Sequence, residues 1–176
     1  MNSYKTIPYT LEYMPLSKSF HCGNPSIDSF LSDNLSLEKW FGKTFIWIDN
    51  NEIVGFYNIG VGYIRDTDYS NYKIGGSVHI NYFAVNNSYR NVFNTKLSDK
   101  EFLKTSDWLM NDLLKRVEDI RNHHLGFSFI TLNSTDFGYN LYKRSGFEEL
   151  EEGLEFDNKD DEDECISMYL SLDLEE

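Results

Sequence analysis

Residues 131–147, TLNSTDFGYNLYKRSGF, carry a tyrosine, Tyr142, that their order holds at a fixed spot beside a strand end. A phenol has an ordinary pKa near 10 and does acid chemistry only where the backbone holds it at one spot. This segment reads as a strand end, a short capped helix and a glycine stop. Ser134, Thr135 and Asp136 are N-cap residue types ahead of about ten helix-compatible residues. Gly146 stands where a helix exits through a left-handed C-cap, and Tyr142 falls in the last turns. Taken alone, Tyr142 also reads as one of twelve tyrosines packing its ring in a core with the hydroxyl at the edge.

A second chemical group lies upstream in Val78–Asn86, VHINYFAVN. Val78, Ile80, Tyr82 and Ala84 alternate with His79, Asn81, Phe83 and Val85, the two-residue period of a strand. Both faces are largely apolar, so an inner strand is expected. His79, with an ordinary pKa near 6.5, suits proton transfer around neutrality, or is a histidine satisfied within the sheet. Asn81 shares its face and is placed to orient water or substrate. Asn133, at the end of its strand, is otherwise a cap or turn residue.

These pieces resemble one family. Asn140–Phe147, NLYKRSGF, is similar to the A-x-x-hydrophobic-Tyr-x-x-x-Gly-Phe segment of the GNAT N-acetyltransferase superfamily, with Asn140 close to the usual alanine. Phe-Ala-Val-Asn followed by Ser-Tyr-Arg-Asn resembles the run where a strand of that family ends and its pyrophosphate loop begins. Residues 20–31, FHCGNPSIDSFL, look like the opening of a branch that includes acetyltransferase toxins. Gly55 and Phe56 resemble a further family strand. Short motifs carry the likeness across most of residues 20–172.

The resemblance implies attack of an amine on the thioester of acetyl-coenzyme A. Tyr142 would protonate the departing thiolate, and His79, five residues before Ala84, takes the position of a catalytic glutamate in some members. The backbone at Phe83, Ala84 and Val85 would hold the pantetheine arm, with the Val85 N–H as oxyanion donor. Asn133 would contact the cofactor. Arg90, Asn91, Lys96 and Ser98 are the expected pyrophosphate contacts, although each lysine alone also reads as solvated surface.

One departure bears on those contacts. The family has closely spaced glycines after the strand, whereas this chain has none between Gly76 and Gly126. A helix N-terminus following the strand is the expected substitute, because its free N–H groups and dipole favour an anion. Apolar residues at helical spacing from Phe102 to Ile120 predict a helix over 99–121, opened by a capping box at Ser98 and Glu101. Thr105 or Ser106 is a rival start.

At 176 residues the chain is expected to form one domain, residues 1–176, able to bury a real core. No run of about 18 apolar residues predicts a membrane span, and the N-terminus lacks a secretion-signal pattern. Two cysteines, Cys22 and Cys165, give no disulfide framework and suit a cytoplasmic location. Neither cysteine nor the His123-His124 pair has metal-ligand spacing, so no metal is expected. The net charge of -13 is unevenly spread. Residues 1–147 hold fifteen basic and fifteen acidic residues, so the excess belongs to 148–176, with fourteen acids and one lysine. The acidic loop 151–164 reads as solvated chain, or as a field that draws in a cationic amine.

The expected order is a strand at 9–16 and helices at 25–33 and 35–41. Strands at 43–49, 52–65 and 77–86 precede the long helix; then come a strand at 127–133, the Tyr142 helix, and strands at 147–150 and 165–172. This is an α/β fold: a mixed, mostly antiparallel sheet with helices on both faces and a splayed parallel pair at 77–86 and 127–133. Ligand is expected outside the carboxyl ends of that pair. The expected function is acetyl transfer to a primary amine of a small molecule or protein, without nucleic acid or membrane, and a homodimer stays open. The alternatives are a toxin-like enzyme acting on aminoacyl-tRNA and a catalytically silent binding module.

Overall fold

Three long apolar runs become the middle of a mixed sheet: β2 (Lys43–Asp49), β3 (Glu52–Asp66) and β4 (Tyr72–Val85). The computed structural model describes residues 4–70, 72–90, 103–156 and 165–173. The other strands are β1 (Ile7–Pro8), β5 (Phe129–Ser134), β6 (Glu148–Glu149), β7 (Leu154–Phe156) and β8 (Ile166–Ser171). They hydrogen-bond in the order β1-β2-β3-β4-β5-β8-β6, with β7 on β3. Among the described ladders β4–β5 is parallel and the pairs of β1, β6, β7 and β8 are antiparallel. Among the described residues four α-helices accompany them: α1 (Met14–Ser17), α2 (Pro25–Phe30), α3 (Thr105–His123) and α4 (Asp136–Arg144).

Several boundaries differ from expectation for local reasons. No strand forms over the expected 9–16: the two-residue β1 ends just before it, and a 3-10 turn, Leu11–Tyr13, and α1 take its place, with Pro15 in the first helical turn where its missing N–H costs nothing. The helix expected at 35–41 is a 3-10 turn, Asn34–Leu37, capped by Asp33. Helix α3 begins at Thr105, the rival start. There Asp107 reaches back to the Lys104 N–H at 2.9 Å, which is one half of a capping box. The Ser98 box, Asn91 and Lys96, and most of the acidic loop lie outside the described residues.

The chain packs as two compact units, each built from two stretches. The first is Met1–Asn58 with Tyr82–Arg116. Its core is aromatic: Phe30 stacks on Tyr82 at 4.0 Å and on Phe56 at 5.9 Å, and Phe20 meets Phe56 edge-on. Gly55 has no side chain because a Cβ would lie 2.9 Å from both the Ala84 carbonyl and Leu109 Cδ2. A buried carboxylate fastens the N-terminal strand to α3. Asp112 accepts from Thr6 Oγ1 at 2.6 Å and Tyr57 Oη at 2.8 Å. Arg116 donates to Tyr57 Oη and the Thr6 carbonyl while lying 4.0 Å over the Tyr4 and Phe45 rings.

The second unit is Ile59–Asn81 with Val117–Glu176. The parallel ladder runs from Ser77↔Phe129 to Ile80↔Leu132, and β8 pairs along the whole of β5. Arg121 closes the far end by donating to the Phe127 and Leu172 carbonyls. These ladders place three groups of interest, His79, Asn133 and the α4 helix that follows β5.

Candidate active site

Tyr142 is seated by the way α4 ends. The helix stops in a Schellman motif: Gly146 at φ 94 donates to the Lys143 carbonyl at 3.1 Å, and Phe147 donates to the Tyr142 carbonyl at 3.0 Å. That motif brings the residue after the glycine against the helical residue three positions before the C-cap Ser145, here Phe147 against Tyr142. Their rings meet edge-on at 5.8 Å. The spacing Tyr-x-x-x-Gly-Phe is therefore what packs one face of the phenol.

The other face lies on Gly138. A Cβ there would be 2.8 Å from Tyr142 Cε2 and 3.5 Å from Ser134 Oγ, so the glycine is the space the ring occupies. Gly138, rather than the nearby Asn140, stands four residues before Tyr142, which is the alanine position of the A-x-x-hydrophobic-Tyr pattern. Tyr142 is 8% exposed and burial pushes its pKa up from 10, so the phenol holds its proton throughout the ordinary pH range. The expected N-cap works differently from the usual form. Thr135 is the capping residue without a side-chain bond, and Ser134 Oγ donates to the Thr135 carbonyl at 2.8 Å.

His79 is 3% exposed. Its Nδ1 shares a hydrogen bond of 2.9 Å with Thr131 Oγ1, directly across the parallel ladder, and Ser77 Oγ lies 3.4 Å from the same hydroxyl. The Phe156 ring covers it at 5.2 Å. Burial pushes its pKa down to about 4. The result is an imidazole that is neutral at pH 7 and weakly basic. Asn81 and Asn133 follow the last parallel pair, each half-buried, and Asn133 Oδ1 accepts from Ser167 Oγ at 3.0 Å.

In the first unit, β4 ends with Phe83 half-buried and Ala84 and Val85 buried. Asn86 donates its backbone N–H to the Val54 carbonyl at 2.9 Å and its side chain to the Ile53 carbonyl at 3.1 Å, then caps the next turn by accepting from Ser88 N. Asn87 donates to the His21 carbonyl at 2.8 Å, and the Arg90 guanidinium donates to the Cys22 carbonyl. The segment from Phe20 to Asn24 is thus the direct neighbour of the turn after β4, and Arg90 is held against it. Cys22 is buried, with its thiol pushed up to about 11 by burial and by Asp28. It is no nucleophile at neutral pH.

Asn91, Lys96 and Ser98, expected at the pyrophosphate, lie outside the described residues. Among the described residues no group of three or more His, Cys, Asp and Glu side chains is placed to hold a metal ion. Sequence reasoning missed Gly138; the available signal was a glycine one helical turn before the tyrosine, where glycine is otherwise costly.

No family model and no curated protein matches the chain. Solved structures do. A bacterial toxin is 20% identical over 97% of this chain and 92% of its own, with a TM-score of 0.69. AtaTR bound with AcCoA is 16% identical over 97% and 95%, also with a TM-score of 0.69. Tetrahymena GCN5 is 12% identical over 92% and 87%, with a TM-score of 0.52. At these identities the likeness is one of fold, and the chain has the fold of the GNAT N-acetyltransferases.

Proposed function

We propose that this protein is an N-acetyltransferase that moves the acetyl group of acetyl-coenzyme A to a primary amine. The observation that carries the reading is the seating of Tyr142, a protonated phenol clamped between Gly138 and Phe147 on the helix that follows β5. The nitrogen–carbon bond forms as the carbon–sulfur bond breaks, and the thiolate takes the phenolic proton, which solvent then restores. Val85 is the proposed oxyanion donor. With the Asn86 N–H committed to Val54, the pleat turns the neighbouring Val85 N–H to the opposite edge of the strand. Phe83, Ala84 and Asn133 serve the pantetheine arm in this reading, and Arg90, Asn91, Lys96 and Ser98 the phosphates.

His79 enters as a structural rung. A base whose pKa is pushed down to about 4 accepts a proton poorly from an amine, so water held near Asn81 is the proposed route for that proton. Isothermal titration with acetyl-coenzyme A, followed by a free-thiol assay over a panel of amines, tests the proposal. Saturable heat and amine-dependent thiol release are expected. No heat up to about millimolar ligand would favour the silent binding module.

A second reading takes aminoacyl-tRNA as the acceptor. It is favoured by the closer fold match to toxins, at a TM-score of 0.69 against 0.52 for Tetrahymena GCN5, and by the toxin-like opening at residues 20–31. Transfer RNA binding measured at low and physiological salt separates the two acceptors; steep, strong binding supports RNA.

A further inference from the structure

Among the described residues, Trp40 is one of several exposed aromatic side chains, with Phe137, Tyr69 and Tyr72, that the proposed chemistry leaves unused. It is 77% exposed, whereas large aromatic side chains are usually well buried. Its backbone is held firmly. Both Phe41 and Gly42 donate to the Glu38 carbonyl, at 3.1 and 3.2 Å, closing a tight turn after the Asn34–Leu37 segment. Phe41 turns inward and packs on Phe30 at 5.8 Å and on Tyr82 at 6.1 Å, while Trp40 stands edge-on to Phe41 at 5.9 Å. Tyr82 immediately precedes Phe83 on β4. The exposed indole is therefore braced, through one ring, by the strand whose end is proposed to carry the thioester.

Two exposed lysines, Lys39 within the turn and Lys43 just after it, outnumber the exposed Glu38 that opens it, and Lys43 Nζ lies 6.0 Å over the Phe45 ring. An exposed indole with two lysines within three residues along the chain has the composition of a single-stranded nucleic-acid contact, in which a base stacks on the ring and phosphates meet the cations. A cationic amine of small size would gain from the indole and be repelled by the lysines.

We propose that Trp40 is a stacking platform for a nucleobase near the acceptor end of an RNA substrate, with Lys39 and Lys43 on the adjoining phosphates. This rests on the aminoacyl-RNA reading of the acceptor and names a residue that would enforce it. The probe is a fluorescent RNA hairpin with a single-stranded 3′ tail, titrated by anisotropy against the full chain. Trp40→Ala should weaken binding roughly tenfold, Trp40→Phe should retain most of it, and thermal stability should be unchanged because the side chain is exposed. A hairpin whose last nucleotide lacks its base should bind the wild type as weakly as Trp40→Ala binds the intact one. Lys39→Ala and Lys43→Ala should each lower the salt slope by about one.

Equal binding by Trp40→Ala, no binding by the wild type, or equal losses on the intact and base-less hairpins would each overturn the proposal. So would a dimer that Trp40→Ala dissociates, since the ring would then belong to a contact between copies. Acetyl-coenzyme A titrated against the same variants keeps the two readings apart. Retained cofactor heat without RNA binding sinks the platform and leaves acetyl transfer standing.

Discussion

The phenol of Tyr142 is useful because two neighbours deny its ring any other place, and both can be altered. Tyr142→Phe keeps the ring and removes the proton, so turnover should fall on the order of a hundredfold with cofactor affinity unchanged. Steady-state rates alongside calorimetry check this, and unchanged turnover would exclude Tyr142 as the acid. Since burial raises its pKa above 10, the wild-type rate should show no alkaline decline from this group below about pH 10. Gly138→Ala separates position from chemistry. In the first turn of α4 it gains at most about 1 kcal/mol of propensity, while a Cβ placed 2.8 Å from the ring costs roughly 1–3 kcal/mol in overpacking. Stability should therefore change little, but the hydroxyl must move, and turnover should drop. In the Tyr142→Phe background the same substitution should cost no further turnover, because the group it displaces is already absent.

At the scale of elements, the parallel pair β4–β5 carries a polar rung, His79 to Thr131, with the apolar pairs Val78↔Ile130 and Ile80↔Leu132 on either side of it. His79 has a folded pKa of about 4 against an unfolded value near 6.5, so below pH 6.5 the unfolded chain binds the extra proton. Stability is complete above that pH and falls on acidification, by on the order of 1 kcal/mol at pH 5.5 and roughly 3 kcal/mol at pH 4. Urea unfolding of His79→Asn should show a shallower acid loss than the wild type by that amount; equal slopes would mean that the imidazole is solvated. Asp112→Ala tests the other fastening. Removing the carboxylate takes a charged acceptor from the Thr6 and Tyr57 hydroxyls and leaves the largely buried Arg116 without its anion, a loss of about 3 kcal/mol in urea unfolding. The strands β2, β3 and β4 were legible because their apolar runs are long, and α4 because its glycine stop is a local signal. Helix α3 was harder, since Ser98 and Thr105 both head the same apolar periodicity and only the Asp107 bond to Lys104 distinguishes them. The burial of His79 was not legible at all. An alternating strand says which face a residue shares, and Phe156, which covers the ring, arrives from 77 residues along the chain on a three-residue strand with no periodicity to announce it.

Over the whole molecule, the charge argues about which acceptor can approach. Residues 1–147 are formally neutral and all of the -13 belongs to residues 148–176, so at long range the protein carries a net negative charge. The field of that charge speeds a cation and slows a polyanion, and it fades as the screening length shrinks from about 10 Å at 0.1 M salt to about 3 Å at 1 M. Replacing Asp160, Asp161, Glu162, Asp163 and Glu164 by their amides removes five of these charges without touching a proposed site residue. If the acceptor is RNA, binding of the hairpin should tighten several-fold at low salt and converge on the wild type at high salt. For a cationic small amine, kcat/KM should instead fall at low salt and converge in the same way. The sign of the change thus identifies the acceptor class independently of Trp40, and an effect that persists at 1 M salt would show that these residues act by contact rather than by field.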